Sequence, residues 1–297
     1  MAAADEFLLG VDGGGTRCRA RLASRSGQML GEGIAGPANL RQGFVEAFAA
    51  VLDAASQCLT AAGLPHTALR ETTACLALAG ASEPDQLAAA RRHPLPFART
   101  IIITDAEAAC VGAHDGRDGA VVIIGTGSIG WGIVDGQRHR VGGWGLPVSD
   151  EGSGAWLGRE AVRRALWAHD GRVEWTRLLD RVFARFERDA HAIVRWTTTA
   201  SPRDYGDIAP LVIEEAGRGD PAAIALARLA AKHIASLVER LDRLGAPRIA
   251  LVGGLAAVLE SYLPVETRAR LVVPQGDALA GALRRAAEAA PARDAAQ

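Results

Sequence analysis

The segment that most constrains this chain is Asp12-Gly13-Gly14-Gly15-Thr16, set between two stretches with strand character. Before it, Phe7, Leu8, Leu9 and Val11 form an apolar run. After it, Arg17, Arg19 and Arg21 alternate with Cys18, Ala20 and Leu22. Period two on the far side means that the turn joins two strands of a hairpin, with the arginines on its solvent face. A P-loop or a dinucleotide-binding turn needs a helix after the glycines and a different spacing, so neither reading fits. Glycines let a backbone approach a ligand closely and take positive φ. N–H groups in such a turn can cradle phosphate. Asp12 adds a carboxylate able to hold Mg²⁺ through water, because that ion prefers oxygen ligands and keeps several waters; Thr16 adds a hydroxyl. A glycine-rich hairpin turn with no ligand would look the same.

The theme recurs. The apolar run at 121–124 leads into Gly125-Thr126-Gly127-Ser128, strand character resumes at 130–134, and Asp135-Gly136 signals a second hairpin. A third glycine turn, Gly253-Gly254, follows the apolar run at 248–252 and opens a helix. Between these landmarks the periodicity predicts helices over 44–62, 84–92, 106–113, 155–169, 175–188, 205–216, 221–244 and 276–290. Further strands are expected over 28–34, 73–79, 101–103, 139–141 and 271–274. The polar, glycine-containing stretch 114–119 is the best boundary. It gives an α/β chain with a first lobe over 1–116 and a second over 117–297, the last helix packing back on the first lobe. The tail after Pro291 is expected to be disordered.

Three glycine turns at strand ends on both sides of one boundary suggest a nucleotide in a cleft between two domains. Gly13 to Thr16 and Gly125 to Gly127 would grip phosphates, and Gly253-Gly254 would lie near the nucleoside. The chain has 297 residues, 49% of them apolar, and a net charge of -1, which argues against nucleic acid as the main partner. Cys18, Cys58, Cys75 and Cys110 are scattered, as small buried residues of a reducing compartment would be, so neither a disulfide framework nor a zinc site is expected. Met1 to Glu6 lack a basic segment followed by an apolar one, so no signal peptide is expected. No apolar run approaches membrane-spanning length, which points to a cytoplasmic protein with no membrane partner. The seven histidines show no metal-ligand spacing and read as surface or satisfied residues.

Asp105 stands after an apolar strand and before a helix. A carboxylate there can accept a proton from an attacking hydroxyl, and phosphoryl transfer needs little more than positioning and charge neutralisation. It is equally suited to cap the helix, and position alone favours the cap. Glu107, in the first helical turn, is explained by the helix dipole. The irregular loop 142–154 carries Trp144, Asp150 and Glu151, types that suit a sugar: an indole faces C–H groups and carboxylates accept hydroxyl protons. Trp144 could as well anchor the loop to the core.

Taken together, GVDGGGT at 10–16, TDA at 104–106, GTGS at 125–128, GGWG at 142–145 with DEGS at 150–153, LVGG at 251–254 and PxxxAxxGA at 274–282 resemble the sugar kinases of the actin-like ATPase superfamily. Within it they resemble the N-acetylglucosamine and glucosamine kinase group of the BadF/BadG/BcrA/BcrD-type ATPases. The resemblance implies a two-lobed, ribonuclease H-like α/β fold with a nucleotide and sugar cleft between lobes. The implied activity is ATP-dependent phosphorylation of an amino sugar at its 6-hydroxyl, with Asp105 as base. Asn39, Ser128, Gly143, Trp144 and Asp150 would contact the sugar. Gly13, Gly14, Gly15, Thr16, Gly125, Thr126 and Gly127 would hold ATP phosphates, with Asp12 near Mg²⁺. Gly253, Gly254 and the stretch from Ala216 to Gly219 would line the adenosine pocket. A homodimer is also implied.

Ile129 stands where some eukaryotic members carry Asn, which leaves open whether glucosamine, N-acetylglucosamine, N-acetylmannosamine or glucose is preferred. Two other readings share the motifs: an ATPase that activates a dehydratase through an iron–sulfur cluster, which would need clustered cysteines, and a non-catalytic sugar- or ATP-binding regulator.

Overall fold

The computed structural model describes residues 7–291, the side chain of Gln42 excepted. Segments 1–6 and 292–297 lie outside the described residues, and with them the expectations about a leader and a disordered tail. Two compact units emerge. One comprises the described residues up to Arg117 together with those from Pro274 onward; the other is Asp118–Val273.

The first unit runs β1 (Phe7–Gly13), β2 (Cys18–Ser24), β3 (Met29–Ala35), α1 (Phe44–Ala61), β4 (Thr72–Leu78), α2 (Pro84–Arg92), β5 (Arg99–Thr104) and α3 (Asp105–Ala113). Its mixed sheet has the order β3-β2-β1-β4-β5, with β1, β4 and β5 parallel and β2 and β3 antiparallel. The central strands are buried on both faces, so alternate residues serve different layers. Leu9, Val11, Leu76 and Leu78 pack toward α1, with Phe48 and Val51. Leu8, Cys75 and Ala77 pack with Ala282 and Ala286 of the chain's last helix.

The second unit runs β6 (Gly119–Ile124), β7 (Ser128–Val134), β8 (Gln137–Gly142), α4 (Gly154–His169), α5 (Arg177–Ala184), α6 (Ala190–Thr197), α7 (Pro202–Gly206), α8 (Ala209–Gly217), α9 (Pro221–Arg243), β9 (Ile249–Val252), α10 (Ala256–Glu260) and α11 (Val265–Arg268). The last helix, α12 (Ala278–Ala289), belongs to the first unit. The second sheet has the order β8-β7-β6-β9, with β6 and β9 parallel. Three antiparallel strands followed by a parallel one therefore occur in both units.

Helix α12 lies directly on β1. A Cβ on Gly10 would sit 2.7 Å from the Leu283 amide nitrogen, and one on Gly281 would sit 2.0 Å from the Ala108 carbonyl oxygen. Only glycine permits both approaches, which explains the GA pair of the C-terminal motif.

Several expectations need correction. The helix expected over 205–216 is two, because Pro210 opens α8 and a proline cannot continue the preceding turn. The helix expected over 175–188 is only α5, begun by the Thr176 cap and followed by positive φ at Glu187 and Arg188. Helix α6 was not anticipated; Asp189 caps it by accepting the His191 N–H at 2.8 Å. The strand expected over 271–274 is one bridge, Leu271 to Ile249, and the helix after Gly254 is the five-residue α10. Two helices, α1 and α9, are in fact long and apolar enough to cross a membrane by length and composition. Both put an apolar stripe into the core, including Phe48 and Val51 of α1 and Leu226 and Ile234 of α9.

Candidate active site

In the first unit, the glycine turn is stitched to its surroundings by backbone bonds. Gly14 N–H donates to the Arg17 carbonyl at 2.9 Å, Ala38 N–H to Gly14 at 3.0 Å, and Ala79 N–H to Gly13 at 2.8 Å. None of Gly13, Gly14 and Gly15 has positive φ, contrary to the sequence expectation. What glycine supplies here is the missing side chain. A Cβ on Gly13 would meet Leu78 at 2.6 Å, whereas Gly14 and Gly15 border open space, with nothing nearer than 3.6 Å and 3.7 Å. The atom at 3.7 Å is Nδ2 of Asn39, so the first-unit sugar candidate stands beside the turn. Asn39 Oδ1 also accepts the Arg41 N–H at 3.0 Å, and Thr16 is exposed.

Asp12 and Arg19 face each other across the hairpin, and Arg19 Nη2 lies 2.7 Å from Asp12 Oδ2. Arg21 Nε lies 2.7 Å from Glu32 Oε1. The arginine row is thus not a free solvent face: only Arg17 is fully exposed. Partial burial alone would lower the Arg19 pKa, but the bond and charge of Asp12 outweigh it and raise the value.

Asp105 is not the cap of α3. Thr104 is: its Oγ1 accepts the Glu107 N–H at 3.0 Å. Asp105 is the first helical residue, half-buried, and its Oδ1 accepts the Ala106 N–H at 2.9 Å. Strand register sets its place. Gly13 pairs with Leu78, and Leu78 with Thr104. The turn after β1 and Asp105 after β5 therefore stand at one carboxyl edge of the sheet, two strand spacings or roughly 10 Å apart. That edge is where open α/β sheets place ligands. Glu107 is buried and sits 3.3 Å from Arg285 Nη2 of α12, so an ion pair accompanies the dipole interaction inferred from its position.

In the second unit, Gly125 N–H donates to Gly127 O at 2.9 Å, while Gly154 and Ala155 N–H groups donate to Gly125 and Thr126 at 2.9 and 3.0 Å. The second glycine loop is thereby fixed to the start of α4. Asp150, at φ 64°, accepts the Gly145 N–H at 3.1 Å. Its carboxylate presses on Gly127, where a Cβ would lie 2.7 Å from Oδ2. Ser128 Oγ donates to the Glu151 carbonyl at 2.8 Å. Gly143 packs on Ile129.

Trp144 is 67% exposed, so it does not anchor the loop to the core. Its ring lies under the Arg140 guanidinium at 3.9 Å, and Arg140 in turn donates to the carbonyls of Gly142 and Gly143. A cavity of about 300 Å³ is lined by Ser128, Gly142, Gly143 and Glu151 together with His233, Ser236 and Leu237 of α9. His233 and Ser236 were missed by sequence reasoning. They share one face of α9 by their three-residue spacing, but only packing reveals what that face meets.

The third glycine turn abuts the second. Gly253 has φ 101°, a Cβ on it would lie 2.4 Å from the Ile124 carbonyl oxygen, and the Leu255 N–H donates to the same oxygen at 3.0 Å. Gly254 borders open space. Ala216 and Gly219 are assigned with it to an adenosine pocket. Ala216 is a core residue of α8, while Gly219 lines a separate cavity of about 330 Å³ with Trp175, Arg177, Glu215 and Arg218. Burial would raise the Glu215 pKa, but bonds to Arg181 and Arg218 and the charge of Arg177 hold it below the usual carboxylate value.

Residues 9–282 match the model of the BadF/BadG/BcrA/BcrD ATPase family. The chain belongs to that family. The glucosamine kinase GspK of Vibrio cholerae is 40% identical over 277 residues, 93% of this chain and 94% of the relative. A crystal structure from Chromobacterium violaceum, provisionally described as an N-acetylglucosamine kinase, is 37% identical. It superposes with a TM-score of 0.89 over 95% of this chain and 99% of its own. A glucokinase of the ROK family from Streptomyces griseus, solved with glucose and AMPPNP, has a TM-score of 0.55 at 17% identity over 95% or more of both chains, a likeness of fold. The chain thus has the α/β class read from its motifs.

A family of ATPases implies a nucleotide and its divalent ion. The first glycine turn fits them chemically: two glycines, Gly14 and Gly15, that border open space, an exposed threonine, and one carboxylate, Asp12, 21% exposed at its rim. One carboxylate with room for water suits a hydrated Mg²⁺. Among the described residues no cluster of three histidine, cysteine or acidic side chains is placed to bind a metal directly.

Proposed function

We propose that this ATPase-family chain is an ATP-dependent kinase that phosphorylates glucosamine or N-acetylglucosamine at the 6-hydroxyl. The observation that carries the reading is the placement of Asp105: Thr104 does the capping, and Asp105 stands in register with the glycine turn at the carboxyl edge of the first sheet. The names of the relatives supply the substrate class. In this reading Asp105 accepts the hydroxyl proton as the sugar oxygen bonds to the γ-phosphorus and the bond to ADP breaks. Gly13 to Thr16 and Gly125 to Gly127 hold the phosphates. Bound Mg²⁺ supplies charge neutralisation on them, with Asp12 orienting its water shell.

Asn39, Ser128, Gly143, Trp144 and Asp150 are assigned to the sugar, and Gly253, Gly254 and Gly219 to the nucleoside. The assembly is a homodimer in the cytoplasm, where four buried free thiols suit a reducing medium. Those burials also give no support to an iron–sulfur activator.

The test is product identity. The chain is incubated with ATP, Mg²⁺ and each sugar, and the product is read by phosphorus–proton correlation. Coupling of phosphorus to the C6 protons supports the reading. A phosphate at C1, or no sugar phosphate, overturns it.

A further inference from the structure

Asp12 has a standing partner. It lies opposite Arg19 in the antiparallel pair of β1 and β2, and Arg19 Nη2 is 2.7 Å from its Oδ2. The same guanidinium reaches a second carboxylate: Arg19 Nη1 is 3.5 Å from Asp277 Oδ2. Asp277 is the cap of α12, its Oδ1 accepting the Ala280 N–H at 3.0 Å. Arg21 Nη1 stands 3.9 Å from Asp277 Oδ1 and is itself engaged by Glu32. Three carboxylates and two guanidiniums thus form a chain from the glycine turn to the start of the C-terminal helix, all within the first unit.

We propose that Arg19 is a positioning residue for the nucleotide's divalent ion: a resident counter-ion of Asp12 that competes with the metal and has Asp277 as its alternative partner. The inference rests on reading Asp12 as the residue beside that ion. A cation approaching Asp12 meets a fixed positive charge on the same carboxylate. Two charges on the metal and one on Arg19, a few ångströms apart in a partly hydrated site, repel enough to weaken binding by about tenfold. The long 3.5 Å contact to Asp277 leaves Arg19 room to tighten on that side when Asp12 is engaged by the ion's water shell. Free protein keeps a neutralised Asp12, and metal is held firmly only when a nucleotide brings its own negative charge.

The experiment measures ADP affinity of the full chain by calorimetry with and without Mg²⁺. The readout is the factor by which the ion tightens ADP. For Arg19→Gln that factor is expected to rise about tenfold over wild type, and Arg19→Lys, which keeps the charge, is expected to stay near wild type. A merely structural role would lower the melting temperature without raising the factor. An Arg19→Gln factor equal to or below wild type overturns the competition. Asp12→Asn separates the two levels. If it abolishes the Mg²⁺ effect while Arg19→Gln leaves it unchanged, only this inference fails. If Asp12→Asn retains the full effect, the reading of Asp12 fails as well.

Discussion

Thr104 Oγ1 accepts the backbone N–H of Glu107 at 3.0 Å, and so closes the first turn of the helix that Asp105 begins. This separates two roles that the sequence could not. If Thr104 is the cap, Thr104→Ala is expected to destabilise the protein by about 1 kcal/mol. Asp105→Asn removes a first-turn charge, worth about 0.3–1 kcal/mol. Urea unfolding of the two variants checks the order. A larger loss for Asp105→Asn would return Asp105 to a structural role.

The glycine turns and the buried strands before them were legible because each rests on local pattern: period two around Asp12 to Thr16, and short apolar runs ending in glycine. The row Gly13, Leu78, Thr104 was not, because strand register is set by pairing across the sheet. The Thr104 cap was missed for a subtler reason: threonine and aspartate are both good caps, and adjacent positions cannot be ranked from types alone. His233 and Ser236 lie some eighty residues from the loop they face, and nothing in a helical stripe says which loop will cover it. Arg19 looked like one member of a solvent-facing row, and its Asp277 neighbour lies at the far end of the chain.

Burial pushes the thiols of Cys18, Cys58 and Cys75 up from 9.0 to about 12. Above pH 9 the unfolded chain loses these protons while the native state holds them. The unfolded state then binds fewer protons, so stability falls as pH rises from about 9 toward 12. Unfolding midpoints across that range are expected to drop, and Cys75→Ala is expected to drop less steeply. Equal slopes for the variant and wild type would contradict the shift.

Trp144 is exposed, so Trp144→Ala is expected to change stability by no more than about 0.5 kcal/mol. Losing a ring face for the sugar is expected to raise its KM by about three- to tenfold, corresponding to about 0.5–1.5 kcal/mol. Sugar titrations of both proteins decide this. An unchanged KM would leave the Arg140 stack as the only role of the ring.

Gly253 combines φ 101° with a backbone oxygen where a Cβ would go. Gly253→Ala is expected to cost roughly 1–3 kcal/mol for the backbone conformation alone, with displacement of Ile124 in addition. A thermal melt within a degree of wild type would show that the turn relaxes freely.

The most direct test of the central claim is ADP release by wild type and Asp105→Asn, with ATP and Mg²⁺, with and without glucosamine or N-acetylglucosamine. The expected result is release that depends on the sugar and falls about 10²–10⁴-fold in the variant, the loss typical of a missing general base. Release that ignores the sugar, or an Asp105→Asn variant as active as wild type, would contradict the account.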